Sequence, residues 1–239
     1  MIADYDGDIS SLLYTDIKGE IPILTTRNLV IFPGVVSPIL IGREPSIKLI
    51  SYLEKHPEAM FGIFCQRDSN VDNPSFKDLY ATGVYARMVK VIEMPGPGNN
   101  ITAIVQGLGR CTLDNLTKTK PYFAGIVSPN AESLPKETDK EFTTVCETVL
   151  KSAKEYISLN EDMPDEAQYA LASVQNKVVT INYVCSNLPF SIKDKVKLLE
   201  IDDTKKRAYS LLKTLDRETQ LLKLKQDIRQ KTRMDLDEQ

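Results

Sequence analysis

All eleven glycines of this 239-residue chain fall at or before Gly125, and eleven of its thirteen prolines fall at or before Pro135. A segment dense in both residues is cut into short runs by turns, whereas one almost free of them can build long unbroken helices. The chain is therefore expected to have two halves that fold by different rules, meeting near "SPNAESLPKET".

Before that boundary the runs are short, rich in β-branched residues and separated by turn signals: "IPILTT", "VVSPILI", "AMFGIFC", "GVYARMVKVIEM", "NITAIVQ", "RCTLDNL" and "YFAGIVS". Such runs predict strands. The clearest hairpin joins "VKVIEM" to "ITAIVQG" through "PGPGNN", and "QGLGR" reads as a second turn. One helix interrupts this half, opening at Pro45 with Ile47, Ile50 and Leu53 on one face and ending at Pro57.

Past Thr138 the apolar period lengthens from two to about 3.6. Thr138 and Glu141 have capping-box spacing, and Phe142, Val145, Cys146, Val149, Leu150, Ala153, Tyr156 and Ile157 form one wide stripe. Pro164 opens a second helix, and "KVVTINYVCSN" is a third helix or a kinked continuation as far as Leu188. Ser191 caps "IKDKVKLLEI". The last helix begins near Asp203 and meets no stop signal; the 36 residues from Thr204 to Gln239 would reach about 54 Å. Its Ala208, Leu211, Leu212 and Leu215 are placed to pack on the bundle, and beyond them the apolar residues thin to Leu221, Leu222, Leu224 and Ile228.

The predicted fold class is α+β: a mostly β sheet or pseudo-barrel with one helix, then a helical bundle ending in a long projecting helix. The expected divisions are a flexible acidic tail over 1–18, the β-rich domain over 19–132, the bundle over 133–203 and the long helix over 204–239.

Net charge −3 and 26% charged residues point to no acidic or basic partner. No apolar run approaches the roughly 20 residues of a membrane span, and the N-terminus lacks a basic-then-apolar leader, so a cytoplasmic protein without membrane contact is expected. Cys65, Cys111, Cys146 and Cys185 form no C-x-x-C pair and are read as buried thiols. Glycosylation patterns at Asn100 and Asn115 mean nothing without export.

No catalytic constellation emerges, and no catalytic or metal residue is assigned. His56, the only histidine, stands beside Pro57 and reads as a solvated or helix-end residue. Neither a phosphate-cradling G-x-x-x-x-G-K-[ST] loop nor H-E-x-x-H is present. Glu161, Asp162, Asp165 and Glu166 cluster where a helix starts, a place that favours acidic side chains without any metal.

The stretch "IPILTTRNLVIFPGVVSPILIGREPSIKLI" resembles the opening of the amino-terminal domain of ATP-dependent Lon proteases, through Pro22, Leu24, Arg27, Val30, Phe32, Pro33, Pro38, Gly42, Arg43 and Ser46. "DLYATGVYARMVKVIEMPGPGNNITAIVQGLGRCTL" is similar to that domain's central hairpin, with Asp78, Leu79, Tyr80, Gly83, Ala86, Gly107 and Arg110 on pattern positions. "LPFSIKDKVKLLEIDDTKKRAYSLLKTL" resembles its helical part. Departures are Thr25 and Thr26 for the more usual proline and leucine, Gln106 for glutamate, and Val196 and Lys197 for a lysine-glutamine pair.

The resemblance implies a module that recognises misfolded, damaged or tagged proteins and helps a homo-oligomeric ring assemble, with no cofactor of its own. ATP, magnesium and a serine-lysine dyad would belong to later parts of the parent chain, and the uncapped last helix is read as cut inside a longer protein. A receptor for unfolded chains needs an apolar groove, a free sheet edge, or both. The "VIFPGVVSPILIG" segment suits such an edge. Phe32, Pro33 and Val35 are the candidate substrate contacts, with Arg43, Glu44 and Lys48 at the mouth, and Leu221, Leu224 and Ile228 are the candidate assembly residues. Alternatives are a stand-alone ligand-binding or adaptor module, and a nucleic-acid binder using the basic last helix.

Overall fold

The computed structural model describes residues 9–13, 17–98 and 100–237. Its elements are α1 (Ile9–Leu13), β1 (Gly19–Thr26), β2 (Val36–Ile41), α2 (Glu44–Lys55), β3 (Phe61–Cys65), β4 (Thr82–Met94), β5 (Asn100–Lys118) and β6 (Ala124–Pro129). The helices α3 (Lys140–Leu159), α4 (Glu166–Ala172), α5 (Lys177–Asn187), α6 (Ile192–Leu199) and α7 (Thr204–Asp237) follow. The α+β expectation holds, with a six-stranded mixed sheet first and helices after it.

Five strands close on themselves. β1 runs parallel to β3; β3 pairs with β4, β4 with β5, the C-terminal part of β5 with β6, and β6 with β1, all antiparallel. Ile21, Ile23, Phe64, Tyr85, Leu113 and Val127 supply buried side chains from every strand of this ring, and Leu12 of α1 joins the same cluster. Closure leaves the ring without a free edge. β2 lies outside it, paired along Val36–Ile41 with residues 101–106 of β5, so β2, β5 and β4 form a three-stranded arm.

Two expectations change here. The run "QGLGR" is not a turn: β5 is one 19-residue strand passing straight through it. Gly107 and Gly109 serve close backbone approach instead, since a Cβ would fall 2.3 Å from the Phe32 carbonyl oxygen and 2.3 Å from the Leu13 carbonyl oxygen, respectively. Nor is the whole of 1–18 a mobile tail. Ile9–Leu13 forms a helix whose Leu12 is buried, while 1–8 and 14–16 lie outside the described residues.

The helical half is nucleated by local signals. Asp139, one residue later than the expected Thr138, caps α3 by accepting from the Phe142 N–H at 2.9 Å. Asn176 caps α5 as a separate helix, and Ser191 caps α6 as expected. The α3 stripe buries Phe142, Val145, Cys146, Val149, Ala153, Tyr156 and Ile157, with Leu150 packed beside them, and Ala208, Leu211 and Leu215 of α7 share their cluster. In α2 the buried face is Leu49, Ile50 and Leu53, with Ile47 at its margin.

That same cluster includes Leu24, Phe32, Val84 and Val105 of the β half, so one core runs across position 133. A buried polar junction lies at the seam. Glu132 receives Arg110 Nε at 2.6 Å and Arg207 at 2.8 Å, and Arg207 also donates to the Asn182 side chain at 2.9 Å. Asn182 in turn donates to the Pro33 carbonyl at 3.0 Å. α7 thereby contacts the bundle and the β half through hydrogen-bonded groups. Its outer half stays beside α3 by polar contacts, Lys223 with Glu155 at 2.9 Å and Gln226 Nε2 donating to the Leu159 carbonyl at 2.7 Å, and its final turns are exposed.

Candidate functional site

Antiparallel pairing places directly opposite residues on one face of a sheet. In the arm, Leu40 lies opposite Thr102 and Thr102 opposite Ile92; Pro38 lies opposite Ile104 and Ile104 opposite Lys90. Neither Ile92 nor Ile104 joins a core cluster. This outer face carries Leu40, 77% exposed, Met94, 61% exposed, and Ile92, with Ile104 half-buried between them. The opposite face turns Ile39, Ala103 and Val91 toward the core. At the ring end of the arm the apolar surface stops at a polar pair, where Arg87 Nε donates to Gln106 Oε1 at 2.8 Å.

β2 also offers backbone. The Val35 carbonyl accepts from the Gly107 N–H at 3.0 Å, and antiparallel alternation then directs Ser37, Ile39 and Ile41 toward β5 and Val36, Pro38 and Leu40 outward. Pro38 stands at a position where its missing N–H leaves no broken ladder bond. Among the described strands, β2 has no second neighbour.

A cleft of about 450 Å³ opens where β2 ends. Thr25–Arg27 and Leu29 form one wall, Ile39–Ile41 the other, and Gly42, Arg43 and Ser46 the end. Arg43 is fixed there, donating to the Thr25 carbonyl at 2.9 Å, to Thr25 Oγ1 at 2.8 Å and to Gln66 Oε1 at 2.5 Å. Gln66 holds the following loop through the Val71 carbonyl at 2.8 Å. Burial, then the neighbouring Arg27 guanidinium, push the Arg43 pKa down, and Asp72 opposes this. Asp72 is bound to Arg27 at 3.1 Å.

The sequence-selected residues fall in different places. Phe32, Pro33 and Val35 are buried, Phe32 with 0% exposure, and Phe32 and Val35 belong to the core. Arg43 lies in the cleft, whereas Glu44 and Lys48 pair with each other at 2.8 Å on the exposed side of α2. Leu221, Leu224 and Ile228 are exposed on α7. Sequence reading missed Leu40, Ile92, Met94 and Ile104. Alternation in "VVSPILI" and "ITAIVQG" was visible, but which alternate face meets water depends on register. His56 ends α2, with Nδ1 2.9 Å from the Tyr52 carbonyl and its ring stacked on Tyr52.

Among the described residues no cluster of histidine, cysteine, aspartate or glutamate suits a metal ion, and no helix is long and apolar enough to cross a membrane. The four cysteines are buried and unpaired, and burial pushes the Cys146 and Cys185 thiols up to about 12. The arrangement is suited to holding a polymer against an apolar strip and a sheet edge.

The family described as the ATP-dependent protease La (LON) substrate-binding domain matches residues 20–217. The chain is 38% identical to a Lon protease of Parabacteroides distasonis over 236 residues, covering 99% of this chain and 28% of that protein. It is 40% identical to the Lon protease of Porphyromonas gingivalis over 222 residues, covering 92% and 26%. The N-terminal domain of a Mycobacterium avium complex Lon protease superimposes with a TM-score of 0.58 at 17% identity, covering 84% of this chain and 98% of that one, and shows the same fold. This chain belongs to the Lon substrate-binding domain family. It spans about a quarter of the length of these curated relatives.

Proposed function

We propose that this domain captures unfolded polypeptide for an ATP-dependent Lon protease, using the outer face of the β2–β5–β4 arm and the open edge of β2. The observation that carries the reading is the juxtaposition of Leu40, Ile92, Ile104 and Met94 with the β2 edge, which no other described strand pairs. Unfolded chains differ from folded ones in exposing apolar side chains and unpaired backbone groups together, and this surface complements both.

On this reading the domain itself has no catalytic role. Hydrolysis, ATP and magnesium belong to the parent ring, a cytoplasmic homo-oligomer that removes misfolded, damaged and short-lived proteins, and the outer part of α7 supports assembly through Leu221, Leu224 and Ile228. The family description supports substrate binding, and the exposure of those three side chains supports the assembly role.

The test is retention of a chemically denatured, fluorescently labelled protein by this chain, compared with a Leu40→Ser, Ile92→Ser double variant. Binding should weaken at least about tenfold for the loss of two apolar contacts. Equal binding by a folded variant would remove this face from the reading.

A further inference from the structure

The cleft at the end of β2 has features that an apolar receptor does not need. Arg43 is half-buried, and among the described residues its guanidinium donates to Thr25 and Gln66, both neutral. Asp72 is the carboxylate that acts on Arg43, and it is already bound to Arg27 at 3.1 Å, so two guanidiniums share one acidic group. Arg27 lines the same cleft, with Asp72 as its single carboxylate partner. Ser46 is only 7% exposed, yet among the described residues its hydroxyl has no hydrogen-bond partner. Among the described residues no buried side-chain oxygen or nitrogen lacks a partner, so the residual surface of that hydroxyl is open to the cleft it lines.

Backbone adds to this. Ser46 lies in the first turn of α2, a 12-residue helix whose N-cap, Arg43, supplies no capping hydrogen bond. Pro45 has no N–H and the Ile47 N–H donates to the Arg43 carbonyl at 2.9 Å, so the first-turn donors without a partner in the helix are those of Glu44 and Ser46, which carry partial positive charge. Two guanidiniums, a hydroxyl open to the cleft and a helix start without a side-chain cap therefore line a space whose remaining wall, Leu29 and Ile39–Ile41, is apolar. Asp72 is the acidic group at the site, because Glu44 is paired with Lys48 on the exposed helix face.

We propose that this cleft is a subsite for the C-terminal carboxylate of a bound polypeptide whose last side chain is apolar. This deepens the substrate-binding reading and rests on it. A lone inorganic anion would leave the apolar wall unused, whereas a chain terminus presents a carboxylate and an apolar side chain on one residue. The approach is available too, since the outward edge of β2 leads directly into the cleft at Ile41 and Gly42. A strand ending there would run parallel to β2 and use the outward groups of Val36 and Leu40 and the Pro38 carbonyl.

Fluorescence anisotropy tests this with an N-terminally labelled octapeptide of alternating serine and leucine that ends in leucine. Three forms are compared: the free acid, the C-terminal amide, and the amide with aspartate in place of a central serine. The acid should bind about tenfold or more tightly than either amide, as charge-assisted hydrogen bonds predict. Arg27→Gln and Ser46→Ala should each shrink that acid-over-amide preference. Ser46→Ala removes one unpartnered hydroxyl and keeps the fold readable if an arginine variant unfolds. Equal binding of acid and plain amide would overturn the subsite while leaving the apolar capture surface standing. Equal binding of acid and aspartate amide would overturn the assignment to chain termini. Failure of all three peptides and of denatured protein to bind would overturn the capture reading itself.

Discussion

Arg207, three residues into α7, meets Glu132 at 2.8 Å with both side chains almost wholly withdrawn from water. Glu132 also holds Arg110 of β5, so one carboxylate joins the strand ring to the long helix. Replacing Glu132 with alanine would leave the buried Arg207 guanidinium without its carboxylate, while Arg110 keeps Asp202 at 2.9 Å, a loss of about 3–5 kcal/mol when a buried pair is broken. Urea unfolding of Glu132→Ala should show a drop in midpoint of that size. A change within about 0.5 kcal/mol, the range of ordinary surface substitutions, would mean that the apolar core alone positions α7.

Phe32 and Leu40 stand eight positions apart and should behave oppositely. Phe32 is buried beneath β5, its carbonyl facing Gly107, whereas Leu40 projects from the arm into water. Phe32→Asp buries a charge without a partner and should prevent folding, not merely weaken substrate binding. Phe32→Ala should cost about 3–5 kcal/mol through cavity formation. Leu40→Ser should stay within about 0.5 kcal/mol of the parent. Thermal melts of the three variants check this directly, and a cooperative melt for Phe32→Asp near the parent temperature would contradict the buried placement.

Periodicity and punctuation made most elements legible. The stripe from Phe142 to Ile157 could be buried only as a helix, and "PGPGNN" between apolar runs could only turn a hairpin. What was not legible depends on pairing over distance. Gly107 and Gly109 resemble turn residues until the Phe32 and Leu13 carbonyls are found against them. The "VIFPGVV" run shows no local sign that Phe32 and Val35 face inward and that the surface residues begin at Pro38 and Leu40. Register with β5 decides that, and a shift by one residue would reverse it. Arg43 was legible as polar, but its convergence with Arg27 and Ser46 requires β1, β2 and α2 to meet.

Acid should loosen the α3–α7 contact. The Lys205 ammonium hydrogen bond, followed by the Phe142 N–H, holds the Asp139 carboxyl below the usual carboxylate range. Tyr209 and Lys205 do the same for Glu141. A carboxylate whose folded value is depressed contributes stability above its unfolded value, and that contribution is lost as pH falls through the folded one. The expected loss therefore begins near ordinary carboxylate titration and continues into stronger acid. Asp139→Asn should flatten the fall in urea midpoint between about pH 5 and pH 2, and an unchanged slope would show that Asp139 adds nothing to acid sensitivity.

Leu221, Leu224 and Ile228 follow one another at spacings of three and four, the pattern of a single helix stripe, and all three are exposed. Lys223, Gln226 and Arg229 meanwhile contact Glu155, the Leu159 carbonyl and Glu161, which keeps a different face of α7 against α3. The stripe is thus presented outward by a helix already held on its other side, so ordering it for a partner requires little further loss of chain entropy. If it supports assembly, sedimentation of the whole chain at high concentration should show a mass above that of the monomer. Substituting serine at Leu221, Leu224 and Ile228 should return the chain to monomer without changing its melt, because none of the three contributes to a core cluster. Monomers in both samples would remove the stripe from the assembly role and leave α7 as a spacer fixed by Arg207 at one end.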